Sequence, residues 1–203
     1  MSSASSTSYP ESGLLFSFPK NWRVFKFDDH RFYRYVSGYG IKGVDFIGIT
    51  EEKRLVLIEV KNYTDRFPQD GIDPIQKIKK APLDFAEQIT LKFEDSFSLI
   101  NGIHRFHQKQ TWYRWLARPL LHILPQYISM KYDWGFWSIS YQLLKNHQTD
   151  LVLWLELGTK ISCDAEKKLK QEIASYFKKE FKSKSIVIAN RKNPFQKIEA
   201  HLN

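Results

Sequence analysis

Two adjacent apolar runs constrain the fold of this chain more than any other feature. The run VDFIGIT, residues 44–50, is followed by the polar turn EEKR and then by LVLIEVKNY, residues 55–63. Short runs rich in β-branched residues and bounded by polar turns are typical of strands. The stretch therefore predicts a β-hairpin, yet its second strand carries Glu59 and Lys61 where apolar residues are expected.

Other segments predict that strands and helices alternate along the chain. Apolar residues recur every three or four positions over 82–100 and 164–182, which predicts two helices. Strands are predicted over 149–158 and 185–190, and a shorter strand is predicted from Trp22 onward. This alternation favours an α/β fold with a mixed sheet flanked by helices.

The length of 203 residues suits one domain with an insertion. We expect residues 1–12 to form a disordered lead and residues 13–203 to form the domain. The insertion, about 101–148, holds four of the six tryptophans and six Lys or Arg against one acid. An aromatic and basic segment of this kind could stack on bases and contact phosphates, pack on the core, or form a dimer interface.

The overall charge favours a polyanionic partner. The formal net charge is +9, which is typical of proteins that bind nucleic acid but also arises on surfaces that only aid solubility. The single cysteine, Cys163, excludes an intrachain disulfide and suits a reducing compartment. Residues 1–10 lack the features of a secretory signal, and no apolar run approaches the length of a membrane span. We therefore expect a cytoplasmic protein with no membrane partner.

The charged pair in the second strand differs in context from similar pairs elsewhere. Glu-x-Lys occurs four times, where about one is expected by chance, and the other three lie in a polar turn or a charged helix. In a strand, Glu59 and Lys61 project from the same face. Burying a charge is costly unless it is paired or binds a metal, so either an ion pair or a metal ligand beside a lysine would explain them.

Asp45, inside the first strand, adds a second carboxylate. The position of the turn predicts that Asp45 lies opposite or diagonal to Glu59, within reach of one ion. Two carboxylates held close together repel unless a cation or a proton intervenes, and hard oxygen ligands suit Mg²⁺ or Mn²⁺ bridging to a phosphate. A nearby ammonium such as that of Lys61 can orient a water molecule or stabilise developing negative charge.

Asp45 followed by Glu59-Val60-Lys61 at the end of a hydrophobic strand resembles the signature of the PD-(D/E)XK nuclease superfamily. The order hairpin, helix, strand, helix, strand is also similar to the core of that superfamily, over about 43–100 and 149–190. The resemblance implies a restriction-endonuclease-like fold and an endonuclease that hydrolyses phosphodiester bonds, with DNA the preferred substrate and Mg²⁺ or Mn²⁺ the cofactor.

The resemblance also implies roles for the motif residues. Asp45 and Glu59 would ligate the metal, the Val60 carbonyl would complete its shell, and Lys61 would position or activate water. Many members carry a polar residue, often Gln, on the following helix, and Gln88 is the match here.

Many members also place a Glu on a helix before the hairpin. Here Asp28 or Asp29 could serve, although a cap or turn role is favoured for both. Candidates for nucleic-acid contact are Lys42, Arg114, Arg118, Arg191 and Lys192.

Two further functions stay open at this point. The chain could be a non-catalytic nucleic-acid-binding module on the same fold, or a protein-interaction module with the Trp-rich insertion as its interface. A homodimer would suit the cutting of both strands of a duplex. His104 and His107 have zinc-like spacing, but no Cys or acid is close in sequence, so surface histidines are expected.

Overall fold

The structure is a computed structural model that describes residues 8–64, 73–124, 127–128, 131–158, 161–182 and 184–202. Its strands are β1 (Ser8–Glu11), β2 (Leu14–Ser17), β3 (Arg23–Lys26), β4 (Phe46–Ile49), β5 (Leu55–Asn62), β6 (Thr149–Glu156), β7 (Ser185–Ala189) and β8 (Glu199–Leu202). Its helices are α1 (Arg31–Ser37), α2 (Pro74–Lys80), α3 (Pro82–Lys109), α4 (Arg118–Ile123), α5 (Asp133–Lys145) and α6 (Cys163–Glu180). A π-helical turn, Tyr113–Ala117, precedes α4.

A five-stranded sheet in the order β3-β4-β5-β6-β7 forms the centre of the fold. The pairs β3–β4 and β4–β5 are antiparallel, and the pairs β5–β6 and β6–β7 are parallel. The predicted hairpin is β4–β5, and its turn contains Lys53 at a positive φ of 57°. An α/β fold with a mixed sheet flanked by helices is thus confirmed.

The two faces of the central sheet bury different residues of the same strands. Alternate β5 and β6 residues such as Leu57 and Leu153 pack against α3, α5 and α6. The intervening residues, such as Ile58 and Trp154, pack against Phe16 of β2. Because both faces are covered, β5 and β6 read as continuous apolar runs rather than as alternating ones.

A second sheet, β1-β2-β8, covers one face of the first. Its first strand, Ser8–Glu11, falls within the segment expected to be a disordered lead, and residues 1–7 lie outside the described residues. Strand β1 forms because it pairs antiparallel with β2 and because Tyr9 packs edge-on against Phe18 and Phe46. Strand β2 follows β1 after only two residues, but Phe46 is distant in sequence, and the polar composition of the segment gave no sign of this packing.

The insertion is helical, and its two ends behave differently. Helix α3 continues past residue 100 to Lys109, so the insertion begins inside a helix. Helix α5 packs on the core through the buried Phe136 and Trp137. Trp112 and Trp115, by contrast, are exposed. Packing against the rest of the protein therefore describes α5 and one side of the segment before it, but not the side that carries Trp112 and Trp115.

The prediction of surface histidines is wrong. His104 and His107 are buried on α3, where His104 stacks on Tyr141 and His107 on Tyr113. The helix continues through them with its buried face towards the insertion, which explains why polar residues at these positions are enclosed. Of the described helices, none is long and apolar enough to cross a bilayer.

Candidate functional site

Asp45, Glu59 and Lys61 meet where β5 ends and β4 begins. Strands β4 and β5 pair with Phe46 opposite Ile58, and one further step in this register brings Asp45 opposite Glu59, as the hairpin predicts. Asp45 Oδ2 accepts a hydrogen bond from Val60 N at 2.6 Å. The Asp45 carboxyl group is therefore fixed against the backbone of the strand that carries Glu59 and Lys61.

The segment before Asp45 is attached to helix α3. Lys42 N donates to Asp95 Oδ2 at 2.8 Å, and Val44 N donates to Ser96 Oγ at 3.0 Å. These bonds replace the strand pairing that the segment lacks. They hold the start of β4 against the helix that also supplies a side chain to the site.

Glu59 is completely buried between two lysines. Its Oε1 atom lies 2.6 Å from Lys61 Nζ and 2.6 Å from Lys92 Nζ. Its Oε2 atom is buried and has no hydrogen-bond partner. An orphaned carboxylate oxygen is costly, because a buried polar atom loses its hydration without replacement.

Lys92, on α3, is the site residue that sequence reasoning missed. Burial alone would lower the pKa of Lys92, but attraction to Glu59 and then to Asp45 outweighs burial and raises it. Lys92 therefore stays an ammonium ion. In the sequence it is one lysine on an amphipathic helix, one turn after Gln88, and only the packing of α3 shows that it reaches Glu59. Gln88 itself is exposed.

The environment of Asp45 disfavours its ionised form. Burial, followed by repulsion from Glu59, raises the pKa of Asp45 to about 7, even though Lys92 and the Val60 N–H act to lower it. When both carboxyl groups are ionised, their two negative charges balance those of Lys61 and Lys92. The cluster is then electrically neutral without any bound ion.

The donors fit a hard divalent cation. Asp45 offers a carboxylate, and Glu59 offers the unpartnered Oε2 atom. The N–H and C=O of one residue in an extended strand point to the same side, so the Val60 carbonyl lies on the Asp45 side of β5. Among the residues that the structure describes, no group of three or more His, Cys, Asp or Glu side chains could hold a metal. A cation would therefore take its remaining ligands from the backbone, water or substrate.

An upstream acid lies near the site, but it is not the one expected. Glu11, on β1, is close enough to contribute to the raised pKa of Asp45. Lys26 Nζ lies 3.1 Å from Glu11 Oε2 and 3.9 Å from Asp28 Oδ2. Lys26 thus links Asp28 to Glu11. Asp29 instead contacts Arg34 at 3.5 Å on the surface.

The candidates for nucleic-acid contact are divided among several places. Arg191 follows β7, and its Nε lies 3.5 Å from Glu156 Oε2 at the end of β6, so it shares the sheet edge at which Lys61 lies. Lys42 and Lys192 are exposed. The side chains of Arg114 and Arg118 lie outside the described part of the structure.

The site therefore combines two carboxylates, two ammonium groups and a backbone carbonyl at one sheet edge. With a divalent cation bound, the four side chains and the ion would carry a net charge of about +2, which would attract a phosphodiester anion. No family model, curated protein or solved structure matches the chain.

Proposed function

We propose that the protein is a metal-dependent endonuclease that hydrolyses phosphodiester bonds, with DNA as its substrate. The observation that carries the proposal is the unpartnered, buried Oε2 atom of Glu59 beside Asp45. The ion pairs with Lys61 and Lys92 involve Oε1 alone, so they do not account for the Oε2 atom. A cation shared with Asp45 would satisfy it.

The arrangement of the sheet supports the finer assignment to a restriction-endonuclease-like fold of the PD-(D/E)XK superfamily. The motif strand β5 is antiparallel to β4 and parallel to β6, and α3 connects β5 to the insertion that leads to β6. The residues that resemble the signature thus lie on a hairpin followed by helix, strand, helix and strand.

The site residues would have different roles in such a reaction. Asp45, Glu59 and the Val60 carbonyl would hold Mg²⁺ or Mn²⁺, which when bound neutralises phosphate charge and lowers the pKa of a bound water. Lys61 is the more exposed of the two lysines, so it would contact the attacking water or the phosphate. Lys92 would act as a positioning residue, because it fixes the Glu59 carboxylate from the helix side.

One observation favours a second function, non-catalytic binding of nucleic acid on the same fold. When both carboxyl groups are ionised, the two lysines balance them, so the cluster is neutral without an ion. This function predicts DNA binding that neither requires Mg²⁺ nor changes when Glu59 is replaced.

Cleavage and metal binding should be measured on the same set of variants. The substrates are supercoiled plasmid, linear duplex and single-stranded DNA with Mg²⁺ or Mn²⁺, and Mn²⁺ binding is followed by electron paramagnetic resonance. We expect Glu59→Gln to lose Mn²⁺ binding and Lys61→Gln to cut about 100-fold more slowly while still binding Mn²⁺. Lys92→Gln should show a smaller loss of rate.

Matched controls come from the turn of the same hairpin. Glu51→Gln and Lys53→Gln change the same residue types at the same spacing on an exposed turn, and both should cut like the wild type. If the wild-type protein cuts none of these substrates, or Glu59→Gln cuts as fast as Glu51→Gln, the nuclease proposal is wrong.

A further inference from the structure

The segment before α5 is apolar on two opposite sides. Tyr113, Ala117 and Leu121 form a small buried cluster with Ile128 on the inner side. On the outer side Trp115 is 80% exposed and Ile123 is 70% exposed. Each lies two positions after a residue of the buried cluster, Tyr113 or Leu121, and so points away from that cluster. An apolar outer side on a segment whose inner side is already buried is expected to be covered by a partner.

The exposed residues form a mixed aromatic and aliphatic surface. We call it the outer face of the insertion and define it by Trp112, Trp115, Ile123, Leu124 and Tyr127, all of which are exposed. Single exposed apolar residues are ordinary on protein surfaces, but five within sixteen positions make this segment a candidate interaction site.

The sequence that carries the outer face has no acidic residue. Residues 110–132 contain no Asp or Glu. Lys131 Nζ lies 5.2 Å from the centre of the Tyr127 ring and 5.4 Å from that of Tyr132. The next acid in the sequence, Asp133, is paired with Arg23 at 2.9 Å. This sequence therefore favours a partner that supplies negative charge.

We propose that the protein docks peripherally on anionic lipid bilayers through the outer face of the insertion. Tryptophan and tyrosine favour the headgroup region, exposed Ile and Leu gain free energy from the acyl boundary, and lysine is attracted to anionic headgroups. Peripheral docking needs no spanning helix, so it is compatible with the lack of one among the described helices, although it departs from the sequence-based expectation of no membrane partner. The outer face shares no residue with the Asp45–Glu59 cluster, so this proposal does not depend on the nuclease activity.

Two other occupants fit the surface less well. A second copy of the chain would bring together two faces that lack acidic residues, which gives repulsion without compensation. Single-stranded nucleic acid would stack on Trp112 and Trp115, but it offers no apolar environment to Ile123 and Leu124. A lipid surface accounts for the aromatic, aliphatic and basic residues together.

Flotation of the full-length chain with lipid vesicles tests the proposal. Vesicles of phosphatidylcholine alone are compared with vesicles that contain about 30% phosphatidylglycerol. We expect binding to the anionic vesicles and weaker binding to the neutral ones. The double variant Trp115→Ser/Ile123→Ser should bind the anionic vesicles at least about tenfold less, because two apolar side chains no longer reach the acyl boundary.

Exposed apolar residues elsewhere provide the matched control. Tyr39 is 85% exposed and Leu83 is 55% exposed, and neither belongs to the insertion. The double variant Tyr39→Ser/Leu83→Ser should therefore bind anionic vesicles like the wild type. Thermal unfolding of both double variants checks that the changes leave the fold intact.

Three outcomes would overturn the proposal. The wild type fails to float with anionic vesicles, or the Trp115→Ser/Ile123→Ser variant floats as well as the control variant. In the third outcome, the wild type does not bind vesicles, and the Trp115→Ser/Ile123→Ser variant loses the self-association that the wild type shows in sedimentation velocity, or loses its binding to oligothymidylate. That result would assign the outer face to a second copy or to single-stranded nucleic acid.

Discussion

At the scale of single residues, the site has conflicting requirements. The Glu59 carboxylate is enclosed with two lysines on one oxygen and nothing on the other, and Asp45 is held beside it by the Val60 N–H. Groups arranged in this way lower stability, and they persist where a ligand or a reaction uses them.

Asp45→Asn should stabilise the protein at neutral and alkaline pH. Burial raises the pKa of Asp45 from 3.8 to about 7, so the folded protein favours the protonated acid while the unfolded chain ionises. The contribution of Asp45 to stability is therefore present below pH 3.8 and is lost as pH rises to about 7. Asparagine keeps an acceptor for Val60 N and never ionises. Urea unfolding should show a gain about 2 kcal/mol larger at pH 8 than at pH 5.

Asp29→Asn is the matched control, because Asp29 is exposed and should give the same small effect at both pH values. A loss of stability on Asp45→Asn at pH 8 would show that the ionised carboxylate is favoured in the fold.

The motif residues could be predicted because their relation is local. Strand alternation puts Glu59 and Lys61 on one face, and the short turn fixes Asp45 opposite Glu59. Lys92 and Glu11 reach the same cluster from α3 and from β1. Their approach depends on how a helix and a second sheet pack on β5, and no spacing in the sequence encodes that.

At the scale of elements, α3 is the part that differs most from expectation. It has 28 residues and extends into the insertion, where His104 and His107 face inward. Helical periodicity predicted its first five turns correctly, because those turns bury aliphatic and aromatic side chains. Its last turns bury imidazoles against tyrosine rings, and a hydrophobic pattern does not reveal a buried histidine.

His104 should make the packing of α3 sensitive to acid. Burial, and to a lesser extent His107, lowers the pKa of His104 from 6.5 to about 4. The folded state thus favours the neutral ring, and its contribution to stability is full above pH 6.5 and is lost as pH falls towards 4. The unfolding free energy of the wild type should fall by roughly 3 kcal/mol from this group over that range. His104→Phe keeps a ring on Tyr141 and should remove this part of the fall.

The comparison needs an exposed histidine. His201 on β8 is exposed, so His201→Gln should leave the acid-induced fall as large as in the wild type. An equal fall in His104→Phe would mean that His104 accepts a proton in the folded state as easily as in the unfolded chain.

At the scale of the whole molecule, the part of the fold that could be predicted is the central sheet, whose strands are buried on both faces, with the helix that packs on it. Strands β5 and β6 could be predicted from continuous apolar runs, and helix α6 from periodic apolar residues. The small sheet could not be predicted from the sequence, because β1 and β8 are four-residue strands whose side chains are mostly exposed. They exist because β2 lies between them and offers two edges, which is a property of the assembled molecule.

The net charge of +9 also belongs to the whole molecule, and it predicts how DNA binding depends on salt. The test uses the Glu59→Gln variant without divalent metal and follows its binding to a Cy3-labelled duplex by anisotropy. The affinity should weaken about 10³-fold between about 50 and 200 mM salt, because released counterions drive the binding.

Lys42 and Lys192 are exposed, and each change to Gln should reduce the slope of log K against log salt by about 0.9 if that lysine contacts a phosphate. Lys168→Gln, an exposed lysine on α6, should leave the slope unchanged. Affinity that does not vary with salt would show that the positive charge serves another partner.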